Sequence, residues 1–134
     1  MSIEAALWAE LTGDAGVSAL ISTRLYPEHL PQSPTYPAAT YRRISTLPVY
    51  CRANNGRFQQ VRIQIDCYAE TYASALALAD AITAAMEGWT QASGPRVDRA
   101  YVANRQDNFA DLLGEDGEIG LYQESVDFFV WFSA

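Results

Sequence analysis

Lysine is absent from this 134-residue sequence, histidine occurs once (His29) and cysteine twice (Cys51 and Cys67). With so few soft ligands a zinc site would need carboxylates to complete it, and no ligand-like spacing is present, so no metal and no cofactor are expected. No stretch approaches the roughly 20 apolar residues that a membrane span requires, which excludes a spanning helix. The N-terminus Met1-Ser2-Ile3-Glu4 lacks the basic region and apolar run of a signal peptide. The protein is therefore expected to be soluble and to stay in the cytosol where it is made, with its thiols reduced.

Signatures of catalysis are missing too: there is no Gly-rich phosphate loop, no nucleophile elbow, no HExxH and no CxxC. Any enzymatic reading then falls on single residues. His29, in a proline-rich segment, has the chemistry of a general base but no evident partner, which is the ordinary condition of a surface histidine. Asp66 and Glu70 are close enough in sequence to pair, but strand alternation puts Asp66 on a wet face, where solvated carboxylates are normal. Without a constellation of acid, base and nucleophile, a non-enzymatic protein is expected.

What is present is enough apolar material for one core: 49% of the residues are hydrophobic and eight are tyrosines. A single domain over residues 1–134 is the expectation at this length. The formal net charge is −7, which argues against general affinity for nucleic acid. All nine basic residues are arginines, and Arg42, Arg43, Arg52, Arg57 and Arg62 fall in a window from His29 to Ile65 that contains no acid. After Arg105 no basic residue follows, whereas Asp107, Asp111, Glu115, Asp116, Glu118, Glu124 and Asp127 do. Two readings fit: the segments neutralise one another within the fold, or the basic and acidic surfaces of successive identical subunits meet in a ring.

Ser2 is placed to cap a helix from about Ile3 to Leu11, and Asp14 a second over about Ala15 to Ser22. An extended piece follows at Arg24-Leu25-Tyr26, then a segment with Pro27, Pro31, Pro34 and Pro37 that should run extended along the surface. Residues 38–45 form a weak strand pattern. Phe58 to Ala69 form a clear one, with Val61, Ile63, Ile65, Cys67 and Ala69 facing a core. The link Thr46 to Arg57 holds Asn54-Asn55-Gly56 and reads as a long hairpin tip. Thr71 caps a third, longer helix, about Tyr72 to Glu87, with an apolar stripe at Ala75, Leu78, Ala79, Ile82 and Met86 and a stop at Gly88. A strand over 96–105, an acidic loop from Asn104 to Ile119, and a strand over 120–133 complete the chain. In that last strand Phe129 and Trp131 fall out of phase with Tyr122, Val126, Phe128, Val130 and Phe132, so its end should be covered on both sides.

The expected fold is α+β: a mostly antiparallel sheet of about four strands packed against the long helix, with two short N-terminal helices. Trp8, Tyr101, Phe128 and Phe132 fit core faces. Tyr72 and Trp89, at the ends of the third helix, are candidates for a subunit interface together with Arg42, Arg43, Arg52 and Arg57. Long polar loops on compact domains are usually functional, and both 46–57 and 104–119 qualify.

The pair of short N-terminal helices, Arg24-Leu25-Tyr26-Pro27, Leu30-Pro31-Gln32, and Tyr36-Pro37-Ala38 leading into Tyr41 resemble the opening of the phage tail-completion family. The likeness continues through Gln64-Ile65-Asp66-Cys67-Tyr68, Thr71-Tyr72-Ala73, the helix around Leu76 to Ile82, and Tyr122 to Phe132. It covers nearly the whole chain, in packing and turn patterns without a chemical signature. The resemblance implies a non-enzymatic subunit of a hexameric ring at the head-proximal end of a phage tail. Its implied partners are further copies of itself, the tail-tube protein and the head-connector or head-completion protein, with DNA only passing through the lumen and no membrane involved. The implied location is the virion neck, with assembly in the bacterial cytoplasm. Asp111, Glu115, Asp116 and Glu118 would then suit a lumen loop that repels phosphate. A tail terminator that stops tube polymerisation, similar in architecture, is the alternative role. From other classes, a host ligand-binding α+β module would need a concave apolar pocket, and a small hydrolase would have to use Asp66 and His29.

Overall fold

Ser2, Asp14 and Thr71 each start a helix as the sequence predicts, because a short side-chain oxygen satisfies amide donors that lack partners in the first turn. Ser2 Oγ accepts from Ala5 N at 3.1 Å, Asp14 Oδ1 from Gly16 N at 2.9 Å and Val17 N at 3.1 Å, and Thr71 Oγ1 from Ser74 N at 3.2 Å. They open α1 (Ile3–Gly13), α2 (Ala15–Ile21) and α3 (Tyr72–Met86). The computed structural model describes residues 2–32, 34–49, 58–92, 95–114 and 117–133, and of residues 49, 108–114 and 117–121 the backbone alone. Cys51, Arg52, Arg57, Glu115, Asp116 and the expected turn at 54–56 lie outside the described residues.

The strands are β1 (Leu25–Pro27), β2 (Ala38–Val49), β3 (Phe58–Ala69), β4 (Arg96–Gly114) and β5 (Gly117–Ser133). They form one five-stranded sheet in the order β1-β2-β3-β5-β4, antiparallel except where β1 runs parallel to β2. The α+β class therefore holds, and four expected strands become five because the extended piece after α2 pairs Leu25 with Ala39 and Pro27 with Tyr41. Arg24 secures that join: its Nε donates to Pro37 O and its Nη2 to Leu20 O, each at 3.0 Å, tying the end of α2 to the far end of the proline-rich segment. The Tyr36–Pro37 peptide bond is cis.

All three helices pack on one face of the sheet. Ile3, Leu7 and Leu11 of α1, Val17 and Ile21 of α2, and Leu78, Ile82 and Met86 of α3 join Val61, Ile63, Ile65, Val126, Phe128 and Val130 in one buried cluster. Ala75 and Ala79 of α3 are buried, and their small side chains let the helix backbone sit close to the strands. At 15 residues α3 is the longest of the three helices.

The expectation of a core position for Tyr101 fails at bulges. In β4 the register shifts between Val97 and Arg99 and again between Val102 and Asn104. An extra residue at each point reverses the alternation. Val97 and Ala100 are therefore buried toward the helices, while Tyr101 is half-buried on the opposite face instead of in the core. Trp8 also leaves the core: it is 38% exposed at the rim, with Nε1 donating to Leu25 O at 3.1 Å.

The acidic segment expected as a loop over 104–119 is instead the distal part of a long hairpin. β4 and β5 stay paired from Arg96 and Ser133 to Gly114 and Gly117, whereas β3 ends where Ala69 meets Tyr122. The pairs from Ala110–Leu121 to Gly114–Gly117 therefore extend past the rest of the sheet as an arm, about 17 Å long at 3.4 Å per residue. No core flanks the arm, so its sequence has no need of one apolar and one polar face, and the period-2 signal of a strand is lost there.

Candidate assembly surface

The face of the sheet turned away from the helices is covered by no element of the described residues, and its side chains follow from the register. Arg62 of β3 pairs with Phe129 of β5, which pairs with Tyr101 of β4; next to them Trp131 pairs with Arg99. The rings form one cluster: Tyr101 and Trp131 are 5.0 Å apart between centroids, Tyr101 and Phe129 5.9 Å, Phe129 and Trp131 6.0 Å. Two guanidinium groups lie over it. Arg99 Cζ is 5.3 Å from the Tyr101 centroid and 6.0 Å from that of Trp131, and Arg62 Cζ is 5.6 Å from that of Phe129. Such stacking is attractive because the ring faces are electron-rich.

Arg62 is held in place by Asp127, whose Oδ2 accepts from Nη2 at 2.6 Å and Nε at 3.0 Å. Asp127 is nearly buried. Arg99 is exposed and has no ion-pair partner among the described residues. A polar belt borders the cluster: Ser125 Oγ and Gln64 Nε2 donate to Asp66 Oδ1 at 2.6 and 2.9 Å, and Arg42 Nη2 donates to Gln64 Oε1 at 3.2 Å. Asp66 is thus an acceptor that orders this face, while His29 is exposed in the segment between β1 and β2.

A second polar group sits at the root of the arm, on the helix side. Arg105 Nε donates to Glu124 Oε1 at 2.7 Å and its Nη1 to Asp80 Oδ1 at 2.7 Å. Tyr72 OH donates to Asp107 Oδ2 at 2.6 Å, and its ring stacks edge-on against Tyr122 at 5.8 Å. Glu124 Oε2 is buried and meets no ordinary donor. Burial, and then a hydrogen bond shared with Asp107, raise the Glu124 carboxyl above its usual range; the same bond, with that from Tyr72, holds Asp107 below its own. Cys67 lies fully buried, and burial pushes its thiol far up.

The structure separates the residues that the sequence nominates for an interface. Tyr72 is exposed, but its hydroxyl is engaged with Asp107. Trp89 belongs to the core cluster and offers no surface to a neighbour: the chain turns back after α3, with Trp89 N donating to Met86 O. Arg43 makes an ion pair with Glu4 of α1, and Arg42 lies in the polar belt. Asp111 and Glu118 stand on the two strands of the arm. Val49 and Phe58 stand at the end of the sheet where Arg96 begins β4, and Gly114 and Gly117 of the arm stand at the other end. Arg62 with Asp127 is the pair that joins the two charged segments among the described residues.

The residues missed by sequence pattern are Arg62, Arg99 and Tyr101. The signal available was the pair of out-of-phase aromatics, Phe129 and Trp131, whose second face this chain leaves uncovered. Among the described residues no three metal-ligating side chains converge, and no helix is long and apolar enough to cross a membrane. A surface depression of about 620 Å³ is lined by Thr90, Gln91, Ala92, Arg96, Val97 and Asp98, mostly polar and at the sheet's end.

Fold and surface together define an α+β module whose polar and aromatic chemistry lies on a sheet face that no described element covers and at the root of a projecting arm. The chain belongs to the family described as tail completion protein gp17, whose sequence model matches residues 5–133. The resemblance seen in the sequence is thereby established, and membership makes this a structural, tail-completion protein of virions. A chain in the solved structure "Virion of native gene transfer agent (GTA) particle" has the same fold, with a TM-score of 0.78 at 16% identity over 99% of this chain and 96% of that one. No match emerges among curated protein sequences.

Proposed function

We propose that this protein is a subunit of a hexameric ring at the head-proximal end of a phage tail, where it closes the tail and joins it to the head connector. The observation that carries the reading is the uncovered face: an aromatic cluster under two arginines, on the side of the sheet that no helix of this chain protects. A half-buried aromatic face rimmed by arginine and polar side chains has the composition of an interface core. In a ring every subunit would present that face and its charged arm to neighbours, which is a heterologous, closing arrangement. The role is assembly and not catalysis. Residues 1–134 act as one domain, the partners are the tail-tube and head-connector proteins, and DNA passes through the lumen without being held. The ring resides in the virion neck after assembly in the host cytoplasm.

Negative-stain microscopy of a lysate from the phage or prophage carrying a nonsense mutation in this gene tests the proposal. DNA-filled heads beside unjoined tails of normal length are expected. Overlong tails would replace joining with termination of tube growth, and intact infectious particles would overturn both.

A further inference from the structure

We propose that the acidic arm of one copy docks on the arginine–aromatic face of the next copy, so that adjacent subunits in the ring are held by arm-to-sheet contacts. The inference rests on the ring reading and specifies how the ring is held. Three observations carry it. The arm, residues 110–121, has backbone pairing within itself and none to any other strand of its own chain. A two-stranded ribbon alone in water is marginal and gains stability from a surface to lie on. The Arg62–Arg99–Tyr101–Phe129–Trp131 face is such a surface, and no element of the described residues covers it.

The charges match. The arm segment carries Asp111, Glu115, Asp116 and Glu118 and no basic residue. The face carries Arg99, which among the described residues has no carboxylate partner, beside Arg62, already paired with Asp127, and Arg42, hydrogen-bonded to Gln64. A copy cannot make this contact with itself. The arm continues the same two strands that hold Tyr101 and Phe129, so its tip lies roughly 40 Å along the sheet from those rings. The occupant must therefore be a second copy.

The test uses particles built with an Arg99→Cys/Glu118→Cys variant in a Cys51→Ser background, oxidised mildly and run on a non-reducing gel. A ladder of cross-linked multimers is expected, with neither single-cysteine variant giving more than dimers. Particles that contain the protein only as monomer would overturn the arm contact while leaving the ring reading standing. Particles that lack the protein altogether would overturn the ring reading itself. Charge exchange supplies the second readout. Arg99→Glu and the pair Asp111→Arg/Glu118→Arg should each lower infectious titre at least tenfold, and combining them should recover most of it. A combined variant no better than the worse of its parents refutes the pairing. So does arm reversal that leaves joining intact but slows DNA ejection, the result a lumen-lining arm would give.

Discussion

Replacing Arg62 by methionine removes the one cation that holds Asp127 on the uncovered face. Asp127 is 9% exposed and receives two charge-assisted hydrogen bonds from that guanidinium, at 2.6 and 3.0 Å. Breaking such a pair from one side leaves a nearly buried carboxylate without its partner, a loss of about 3–5 kcal/mol when both groups are deeply buried. The Arg62 side chain is 35% exposed, so water can reach the vacated site and the expected loss is smaller, about 2 kcal/mol including the lost stacking on Phe129. For a domain of this size that corresponds to a fall in Tm of about 6–10 °C. Thermal melts followed by circular dichroism on Arg62→Met, Asp127→Asn and the double variant measure it. The double variant should recover at least half of the Arg62→Met loss, because the stranded charge is gone. If Arg62→Met melts within 2 °C of the parent, or the double variant melts at the sum of the two single losses, the pair is not coupled and the reasoning fails.

Glu124→Gln should raise Tm at neutral and alkaline pH and flatten its pH dependence. The Glu124 carboxyl is raised by burial, so the parent loses stability as pH climbs from the ordinary carboxylate range through that raised value, and an amide never ionises. A variant whose melting curve tracks the parent at every pH would refute the upward shift by burial. Phe128→Ala, which empties a fully buried position on β5, should cost about 3–5 kcal/mol, read by urea unfolding. Thr71→Ala should cost about 1 kcal/mol through the lost cap of α3, whereas a change at exposed Leu47 should stay within about 0.5 kcal/mol. Cys67 should resist a thiol reagent in the folded protein and react once denatured, since its thiol is buried and held protonated.

Most of the fold was legible because most of it obeys a period. Val61 through Ala69 alternate against a helix-covered core, the α3 stripe repeats at helical spacing, and three capping side chains mark their helices. The misreadings fall where a single extra residue changes the phase. At Asp98 and Ala103 the bulges turn Arg99 and Tyr101 outward and Arg105 inward, and no local composition announces them. Aromatic bulk misled in the same way: Trp89 is buried and Trp8 is half-exposed, because position relative to the sheet, and not ring size, decided burial.

The remaining blind spots share a cause. A periodic signal arises when a strand's own chain supplies the apolar partner on one side and water the other. The arm has neither, so its alternation between Ala110, Leu112 and their cross-strand partners is diluted by Asp111, Gly114 and Gly117, and it reads as a loop. Phe129 and Trp131 have apolar bulk on a face their chain leaves open, so they read as covered by something not yet found. If both deficits are supplied by a second copy, each unexplained element is the missing partner of the other: a ribbon without a sheet to lie on, and a sheet face without a cover. The sequence features that fit the monomer least are then those that the ring requires, and substitutions at Arg99 or in the arm, outside the Arg62–Asp127 pair, should impair assembly while leaving the melting temperature of the isolated subunit nearly unchanged. A set of face variants at Arg99 or Tyr101 that lowers Tm in proportion to lost particle yield would show instead that this face serves the subunit's own stability.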